Sequence, residues 1–298
     1  MEKIKLSIVL LNYKTFEITD SCIDSIKKSK PKIKYEIIVI DNGSFDGSSE
    51  KLAQKHEDIK LIQNKRNLGF ARGNNAAMGY VRGEYILFLN TDTLVEKDTL
   101  EMCATYLDKN EDVGAITCKQ VLPDGSIDKD SRRSFPTPWV AFTHFSGLDR
   151  VFPRSKIFAR YWYGYLDPDK TYEIEVAQGA FIMTRKRILD EIGWFDEDYF
   201  LDGEDIDLSW KIRELGKKII YYPKVKIIHF KGYTKGKNKY FKKEKKRERK
   251  SFVLAGVNSM EIFYRKRMWD KYPLILNYIV LLGIKFIKIN RLVKLYLS

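Results

Sequence analysis

The chain of 298 residues is 44% hydrophobic and 13% aromatic, which is enough to bury a large core in one or two α/β domains. Its three cysteines, Cys22, Cys103 and Cys118, are odd in number and have no CxxC or Cys/His spacing, so neither a disulfide scaffold nor a zinc site is expected. The net charge is +14, and residues 235–298 hold 18 Lys/Arg and 4 Asp/Glu, so the whole excess lies in this tail. Such a basic block attracts phosphate-bearing partners, either anionic lipid head groups or nucleic acid.

Short apolar runs alternate with segments of helical length in the first third of the chain. Nearly continuous apolar strands separated by helices predict a mainly parallel sheet covered by helices on both faces. The predicted strands are residues 6–11, 37–40, 61–63 and 85–89, and the predicted helices are 16–28, 48–55 and 71–81.

The middle of the chain is less regular. Residues 131–172 are rich in Pro, Trp, Tyr and Phe without clear periodicity, which predicts a long loop region over the sheet, where recognition groups often lie. Aromatic residues around Trp162, and those of the later segment 194–197, could line an acceptor pocket or belong to the core. The regular elements predicted around this loop are helices 97–109, 186–192 and 206–215 and strands 113–119, 179–184 and 218–228.

The two ends of the chain bear on where the protein acts. Residues 1–5 lead directly into an apolar run and lack the features of a secretory signal. In the tail, a Lys/Arg-rich stretch, 235–250, precedes an apolar stretch, 273–297. The apolar stretch has only eleven uncharged residues, 274–284, before its first lysine, Lys285. Because about 20 apolar residues are needed to span a bilayer, this stretch cannot span alone. Basic residues recurring every three positions predict an amphipathic helix in the membrane interface; they are Lys285, Lys288, Arg291 and Lys294.

Polar side chains follow the first two predicted strands. Leu11 and Tyr13 stand at the end of the first strand, and Asp41 stands at the end of the second. Ligands bind at the carboxyl ends of strands in an open parallel sheet, so an aromatic ring and a carboxylate there can stack on and hydrogen-bond to a base. A helix cap at Asp41 explains the same residue equally well.

A glycine-rich segment, 67–77, begins the next helix and contains Gly69 and Arg72. Helix N-terminal amides and a guanidinium both favour a diphosphate. The alternative is a set of glycines needed for packing beside a surface arginine.

Two acidic segments could serve a metal or a proton transfer. The strand 85–89 leads into Asn90-Thr91-Asp92, and a carboxylate there suits Mg²⁺ or Mn²⁺, although it could also cap a helix. Residues 202–207 place four carboxylates at a helix start, where the helix dipole favours them and where one of them could act as a general base. His229 ends a predicted strand, and a single histidine is more often structural.

Taken in order, these segments resemble the family-2 glycosyltransferases of the GT-A fold, and within them the rhamnosyltransferase-like subgroup, from about residue 7 to residue 232. The resemblance implies an α/β fold with a mainly parallel nucleotide-binding sheet flanked by helices, followed here by a C-terminal amphipathic helical tail. It also implies a metal-dependent hexosyltransferase of polysaccharide biosynthesis. The matching segments are 7–9, 12–13, 41–44, 67–71, 90–92, 193–196, 203–205 and His229.

The resemblance assigns roles to individual positions. Asp205 matches the general base, with Glu204 beside it, and Asp92 and His229 match the ligands of Mn²⁺ or Mg²⁺. One departure is Asn90, where a fuller motif has a second acidic residue, so weaker metal binding is expected. Donor-nucleotide contacts are expected from Leu11, Tyr13, Asp41, Gly69, Arg72, Asn74 and Thr91, and acceptor contacts from Gly179, Trp194 and Asp202.

These roles imply a single displacement that inverts the anomeric centre, in which Asp205 takes the proton of the acceptor hydroxyl. A dTDP- or UDP-sugar would be the donor, and a glycan or lipid-linked glycan the acceptor. We expect residues 1–234 to form the catalytic domain, with 1–120 binding the nucleotide sugar and 121–234 the acceptor. Residues 235–298 are expected to bind the anionic inner face of the cell membrane, which makes the protein cytoplasmic and peripherally attached.

Two other classes of protein remain as alternatives. A nucleotidyltransferase also uses a parallel sheet and a divalent ion, but it usually carries a Gly-rich loop after the first strand, where this chain has residues 11–15 without glycine. A nucleic-acid-binding protein is suggested by the basic run, yet an interfacial-type helix follows that run, so no nucleic acid is expected. A dehydrogenase is disfavoured because no GxGxxG follows the first strand.

Overall fold

The computed structural model describes residues 3–231 and 246–297. Most of the predicted basic run, residues 235–245, lies outside the described residues. Four parallel strands form one side of a nine-stranded sheet, in the order β3-β2-β1-β4. They are β1 (Leu6–Asn12), β2 (Tyr35–Asp41), β3 (Lys60–Gln63) and β4 (Tyr85–Leu89).

The other side of the sheet mixes strand directions. Its strands are β5 (Thr93–Val95), β6 (Val113–Val121), β8 (Tyr172–Ile174), β10 (Phe181–Arg185) and β11 (Lys218–His229), and a separate two-stranded ladder joins β7 (Arg132–Arg133) to β9 (Val176–Ala177). β10 lies antiparallel between β4 and β6, and β11 runs parallel to β6. The predicted mostly parallel α/β sheet is confirmed. Strand β10 joins the strands from the first part of the chain to those from the second part, because it pairs with both β4 and β6.

Helices cover both faces of the sheet, as predicted. One buried cluster packs Cys22, Leu52 and Leu107 against the sheet, and the other packs Leu189 and Leu208 against its opposite face. The helices are α1 (Phe16–Lys28), α2 (Ser48–Lys55), α3 (Gly69–Asn75), α4 (Thr99–Lys109), α5 (Pro138–Phe145), α6 (Leu148–Val151), α7 (Lys186–Ile192), α8 (Glu204–Glu214), α9 (Lys246–Phe263) and α10 (Leu274–Leu297).

The prediction of a long loop at 131–172 is wrong, because this segment contains β7, α5, α6 and the start of β8. Helix α5 has ordinary start signals: the Thr137 side chain accepts a hydrogen bond from the Val140 amide at 3.4 Å, and Pro138 occupies the first helical position. The helix is only eight residues long and apolar on most sides, so it shows no clear period. The helix predicted at 71–81 begins earlier and is shorter in the structure, where α3 spans Gly69–Asn75.

The C-terminal helices pack on the rest of the structure. Arg267, just after α9, forms an ion pair with Asp207 of α8 at 2.8 Å, and the Ser259 hydroxyl donates to the Leu201 carbonyl at 3.2 Å. Arg291 of α10 donates to the Val253 carbonyl of α9. Among the described residues, no helix is both long enough and apolar enough to cross a lipid bilayer. The boundary expected at residue 234 stays a prediction.

Replacing Arg267 by Met should lower the free energy of unfolding by about 3 kcal/mol, because Asp207 would remain buried without its cation. Asp207 is fully buried and Arg267 is 19% exposed. Urea denaturation followed by circular dichroism measures the change. Arg265→Met is the matched control, since Arg265 pairs with Glu261 at the surface, where ion pairs contribute little. Equal losses in the two variants would contradict a structural role for the buried pair.

Candidate active site

A cavity of about 420 Å³ opens where β1 and β4 end and α8 begins. This position agrees with the rule that ligands of open α/β sheets bind beyond the carboxyl ends of the strands. The structure brings most of the predicted site residues to its wall: Leu11, Tyr13, Gly69, Thr91, Asp92, Gly179, Asp202, Glu204, Asp205 and His229.

Asp92 and His229 meet at one corner of this cavity. The antiparallel pairing of β11 with β5 sets His229 opposite Thr93, and the Phe230 amide donates to the Asp92 carbonyl at 2.8 Å. As a result, Nε2 of His229 lies 3.4 Å from Oδ1 of Asp92, and both side chains are buried. The sheet register therefore creates a nitrogen and oxygen pair from residues 137 positions apart.

Asp128 lies behind His229 and was not predicted from the sequence. Its Oδ2 is 2.8 Å from Nδ1 of His229, and its Oδ1 accepts a hydrogen bond from Lys231 at 2.8 Å. Burial lowers the pKa of His229, but hydrogen bonds with Asp128 and Asp92 outweigh burial and raise it to about 9. Burial likewise raises the pKa of Asp128, but His229 and Lys231 outweigh it and hold that pKa well below its usual range.

This corner fits a divalent cation, which on binding would displace the proton that the raised pKa keeps on His229. A histidine that binds a metal almost always has its other ring nitrogen hydrogen-bonded to a carboxylate or carbonyl, and Asp128 takes that position on His229. Within the described ranges, the one group of three ligand-type side chains close enough to share an ion is Asp20, Asp24 and His56. That group does not line the cavity, and Lys55 forms ion pairs with both of its aspartates.

Asp205 is fixed in the first turn of α8 by three donors. Its Oδ2 accepts from the Gly179 amide at 3.0 Å and forms an ion pair with Arg133, and its Oδ1 accepts from the Ile206 amide at 2.8 Å. Burial lowers the pKa of Arg133, but Asp205 outweighs burial and raises it, so the guanidinium stays charged. Sequence reasoning missed Arg133, which lies on β7 within the segment predicted as loop; its pairing with β9 is a long-range contact.

Three predicted donor contacts lie outside the cavity wall. Asp41 is buried and accepts hydrogen bonds from the Asn12 side chain at 2.9 Å and from the Ser44 amide at 3.1 Å, so it joins the ends of β1 and β2. Asn74 is buried and donates to a carbonyl one turn earlier in α3. Arg72 is half exposed and lies 3.3 Å from Glu197.

Trp194, predicted as an acceptor contact, does not line the cavity. It is 1% exposed, packs edge-on against Phe88 with ring centroids 5.8 Å apart, and donates to Asp190 at 3.2 Å. The structure therefore places this ring in the core beneath the sheet. Its position follows from a turn after α7 in which Gly193 and Trp194 both have positive φ, a geometry that directs the side chain inward and that the sequence pattern does not show.

The C-terminal helices form part of the cavity wall, which the sequence did not predict. Phe252, Gly256 and Met260 of α9 and Arg291 of α10 line it. A Cβ atom added at Gly256 would lie 3.2 Å from Oδ2 of Asp202 and 3.4 Å from Nη1 of Arg291. Helix α9 thus approaches the acidic segment before α8 closely.

Trp194→Phe should change the KM for acceptor by less than roughly twofold while lowering the free energy of unfolding by about 1–2 kcal/mol, through the lost hydrogen bond and a small cavity. Steady-state kinetics and urea denaturation measure the two effects. A large rise in acceptor KM at unchanged stability would instead return Trp194 to the acceptor site.

Comparisons with known proteins show the family to which this chain belongs. Residues 7–193 match the model of glycosyl transferase family 2. Similar proteins include the N-acetylglucosaminyl-diphospho-decaprenol L-rhamnosyltransferase of Mycobacterium tuberculosis, 24% identical over 68% of this chain and 68% of the relative, and the rhamnosyltransferase WbbL of Escherichia coli K12, 25% identical over 66% and 73%.

A similar solved structure is that of the mannosyltransferase PcManGT from Pyrobaculum calidifontis in complex with GDP-Man and Mn²⁺, with a TM-score of 0.56 and 20% identity. The match covers 89% of this chain and 65% of that one, so the chain spans about two thirds of the length of these proteins. The chain therefore belongs to glycosyl transferase family 2 and is a GT-A enzyme that transfers sugars from nucleotide sugars.

Proposed function

We propose that this enzyme is an inverting, metal-dependent glycosyltransferase that moves a sugar from a dTDP- or UDP-sugar to a hydroxyl of a glycan or lipid-linked glycan. The observation that carries the proposal is the meeting of two groups in one cavity: the Asp92 and His229 pair, and the buried carboxylate of Asp205. The first suits the leaving diphosphate and the second suits the attacking hydroxyl. The family assignment favours sugar transfer over the nucleotidyltransferase and nucleic-acid-binding alternatives.

Asp205 acts as the general base in this proposal. A carboxylate has about four acceptor positions, and three donors from the protein already fix this one. The remaining lone pair can take the proton of the acceptor hydroxyl while that hydroxyl oxygen bonds to the anomeric carbon and the nucleoside diphosphate leaves with the electron pair of the broken sugar–phosphate bond. Because the base serves the acceptor and no protein nucleophile takes part, the anomeric centre inverts. Glu204 is buried beside Asp205 at the start of α8 and lines the same cavity.

Asp92 and His229 would hold Mn²⁺ or Mg²⁺, which when bound neutralises charge on the departing nucleoside diphosphate. Two protein ligands suffice for an ion that also takes substrate phosphate oxygens. Asn90 lines the cavity beside them but contributes no charge, so weaker metal binding stays a prediction. PcManGT, whose structure holds Mn²⁺, supports the choice of ion.

The donor nucleotide would lie along the wall that holds Leu11, Tyr13 and Gly69. The Thr91 hydroxyl is buried there and has no hydrogen-bond partner among the described residues, so it can bond to the donor. The predicted diphosphate contact of Arg72 requires its side chain to leave Glu197.

The acceptor would enter beside Gly179 and Asp202, at the wall that includes α9 and α10. A lipid-linked acceptor is supported by the name of the mycobacterial relative, whose substrate is a diphospho-decaprenol. It is also supported by α10, whose outer side exposes Ile275, Leu282 and Phe286 between basic residues, as expected of peripheral attachment to an anionic membrane.

Asp205→Asn should lower kcat by about 100- to 10,000-fold, the usual contribution of a general base, while donor affinity changes little. Rates of nucleoside diphosphate release in the presence of acceptor, together with calorimetric donor binding, measure the two. Asp198→Asn is the control, because Asp198 is exposed in the loop before α8. Near-normal turnover of the Asp205 variant would overturn the assignment of the base.

Asp128→Asn should weaken Mn²⁺ affinity by about 10- to 100-fold, because the carboxylate that orients His229 would be lost. Isothermal titration of Mn²⁺ in the presence of nucleoside diphosphate measures the affinity. Asp124→Asn, in the exposed turn that follows β6, serves as the control. Unchanged affinity, or donor binding that does not depend on Mn²⁺ or Mg²⁺ in the unmodified enzyme, would contradict the metal site.

A further inference from the structure

A second apolar surface lies far from α10 in the sequence, on residues 138–157, which we call the α5–α6 surface. Its large hydrophobic side chains are between 48% and 69% exposed; they are Trp139, Phe142, Phe145, Val151, Phe152 and Ile157. Trp139 contacts Phe142 with ring centroids 5.8 Å apart, and Phe158 contacts both Trp139 and Phe152. The rings of Trp139, Phe142, Phe152 and Phe158 form one patch, and contiguous exposed apolar patches usually mark interaction sites.

The exposed charges within residues 138–157 have one sign. Arg150, Arg154 and Lys156 are exposed between the apolar side chains. Asp149 is the only acidic residue from 138 to 157, and it is buried, with Oδ2 2.7 Å from Nδ1 of His144. Apolar side chains, a tryptophan and basic residues without exposed acids are the composition of a surface that lies on anionic lipid. Protein interfaces instead depend on a polar rim with about ten hydrogen bonds.

The α5–α6 surface borders the cavity. Ala141 and Phe145 of α5 line the cavity, and Arg291 of α10 lines another part of its wall. Helix α10 also combines exposed apolar side chains with basic residues, and residues 272–298 contain no acid. Two surfaces of the same chemistry, from separate parts of the chain, thus adjoin one cavity.

We propose that the α5–α6 surface is a second membrane-docking site, which together with α10 seats the mouth of the cavity on an anionic bilayer. The proposal rests on the lipid-linked acceptor of the proposed function. Docking through both surfaces would let the acceptor hydroxyl reach Asp205 while the lipid chain stays in the bilayer. Docking through α10 alone would leave the orientation of the cavity undefined.

The test uses the full chain and vesicles of phosphatidylcholine with or without phosphatidylglycerol. Two double variants should each lower partitioning onto anionic vesicles by at least roughly tenfold: Arg154→Glu with Lys156→Glu, and separately Phe142→Ser with Val151→Ser. For the charged pair, the reason is that each basic residue near such a surface contributes about fivefold. For the apolar pair, the reason is the loss of apolar area buried in the bilayer. The first pair should lose mainly the dependence on phosphatidylglycerol. Thermal unfolding checks that both variants fold like the parent.

Matched controls make the same kinds of substitution at exposed positions outside the α5–α6 surface. Lys28→Glu with Lys34→Glu makes the same change of charge at exposed positions near the amino end of β2, away from the cavity. Met78→Ser with Tyr80→Ser removes exposed apolar groups after α3. Both controls should partition like the parent.

Parent-like partitioning of both α5–α6 variants would overturn the proposal. The proposal would also be overturned if the variants abolished a dimer seen in sedimentation, or abolished nucleic-acid binding, while their vesicle binding persisted. Sugar transfer to a soluble acceptor should be unchanged in both variants. If the parent protein itself transfers no sugar, the proposed function fails, and the vesicle result still decides whether this surface binds lipid.

Discussion

Burial of carboxylates at one edge of the sheet is the constraint on which the site depends. Asp128, Asp205 and Asp207 are all nearly inaccessible to solvent, and a buried carboxylate costs several kcal/mol unless a cation and further donors satisfy it. Each one takes its cation from a distant segment. Asp128 pairs with His229 of β11 and with Lys231 just after it. Asp205 pairs with Arg133 of β7, and Asp207 pairs with Arg267, just after α9. These buried carboxylates, among them the proposed base Asp205, are therefore also contacts that join separate parts of the chain to one another.

Gly179 and Ala180, just before β10, hold the proposed metal corner and the proposed base in one frame. The Asn90 amide donates to the Ala180 carbonyl at 3.1 Å, and the neighbouring Gly179 amide donates to Asp205 at 3.0 Å. One short backbone segment thus contacts both the strand end that carries Asp92 and the helix that carries the base. Such fixed spacing is what a displacement between two bound substrates requires.

Local signals predicted much of this architecture. The alternation of apolar runs and helices is set by neighbouring residues, so α1, α2, β4 and α7 lie where the sequence predicts them. The local pattern placed Asp92 at a strand end and Asp205 at a helix start, and the resemblance to family-2 glycosyltransferases then implied their metal and base roles. Asp128 and Arg133 could not be identified in this way, because each acts through a partner at least 70 residues away. The sequence left open whether Trp194 lines the acceptor pocket or belongs to the core, because an inward-facing ring and a pocket-lining ring have the same local sequence.

The C-terminal helices link the chemistry to the surface on which it would take place. Helix α9 forms a wall of the cavity and α10 packs on α9 through Arg291, while the opposite side of α10 exposes apolar residues. Gly256 lets α9 approach Asp202 and Arg291 so closely that a larger residue would have to displace one of them. Any force on α10 from a lipid surface would therefore be transmitted to the acceptor side of the cavity through a tightly packed contact. Under the proposed function, membrane docking and acceptor binding would both involve this pair of helices, which carry the basic residues and part of the cavity wall together.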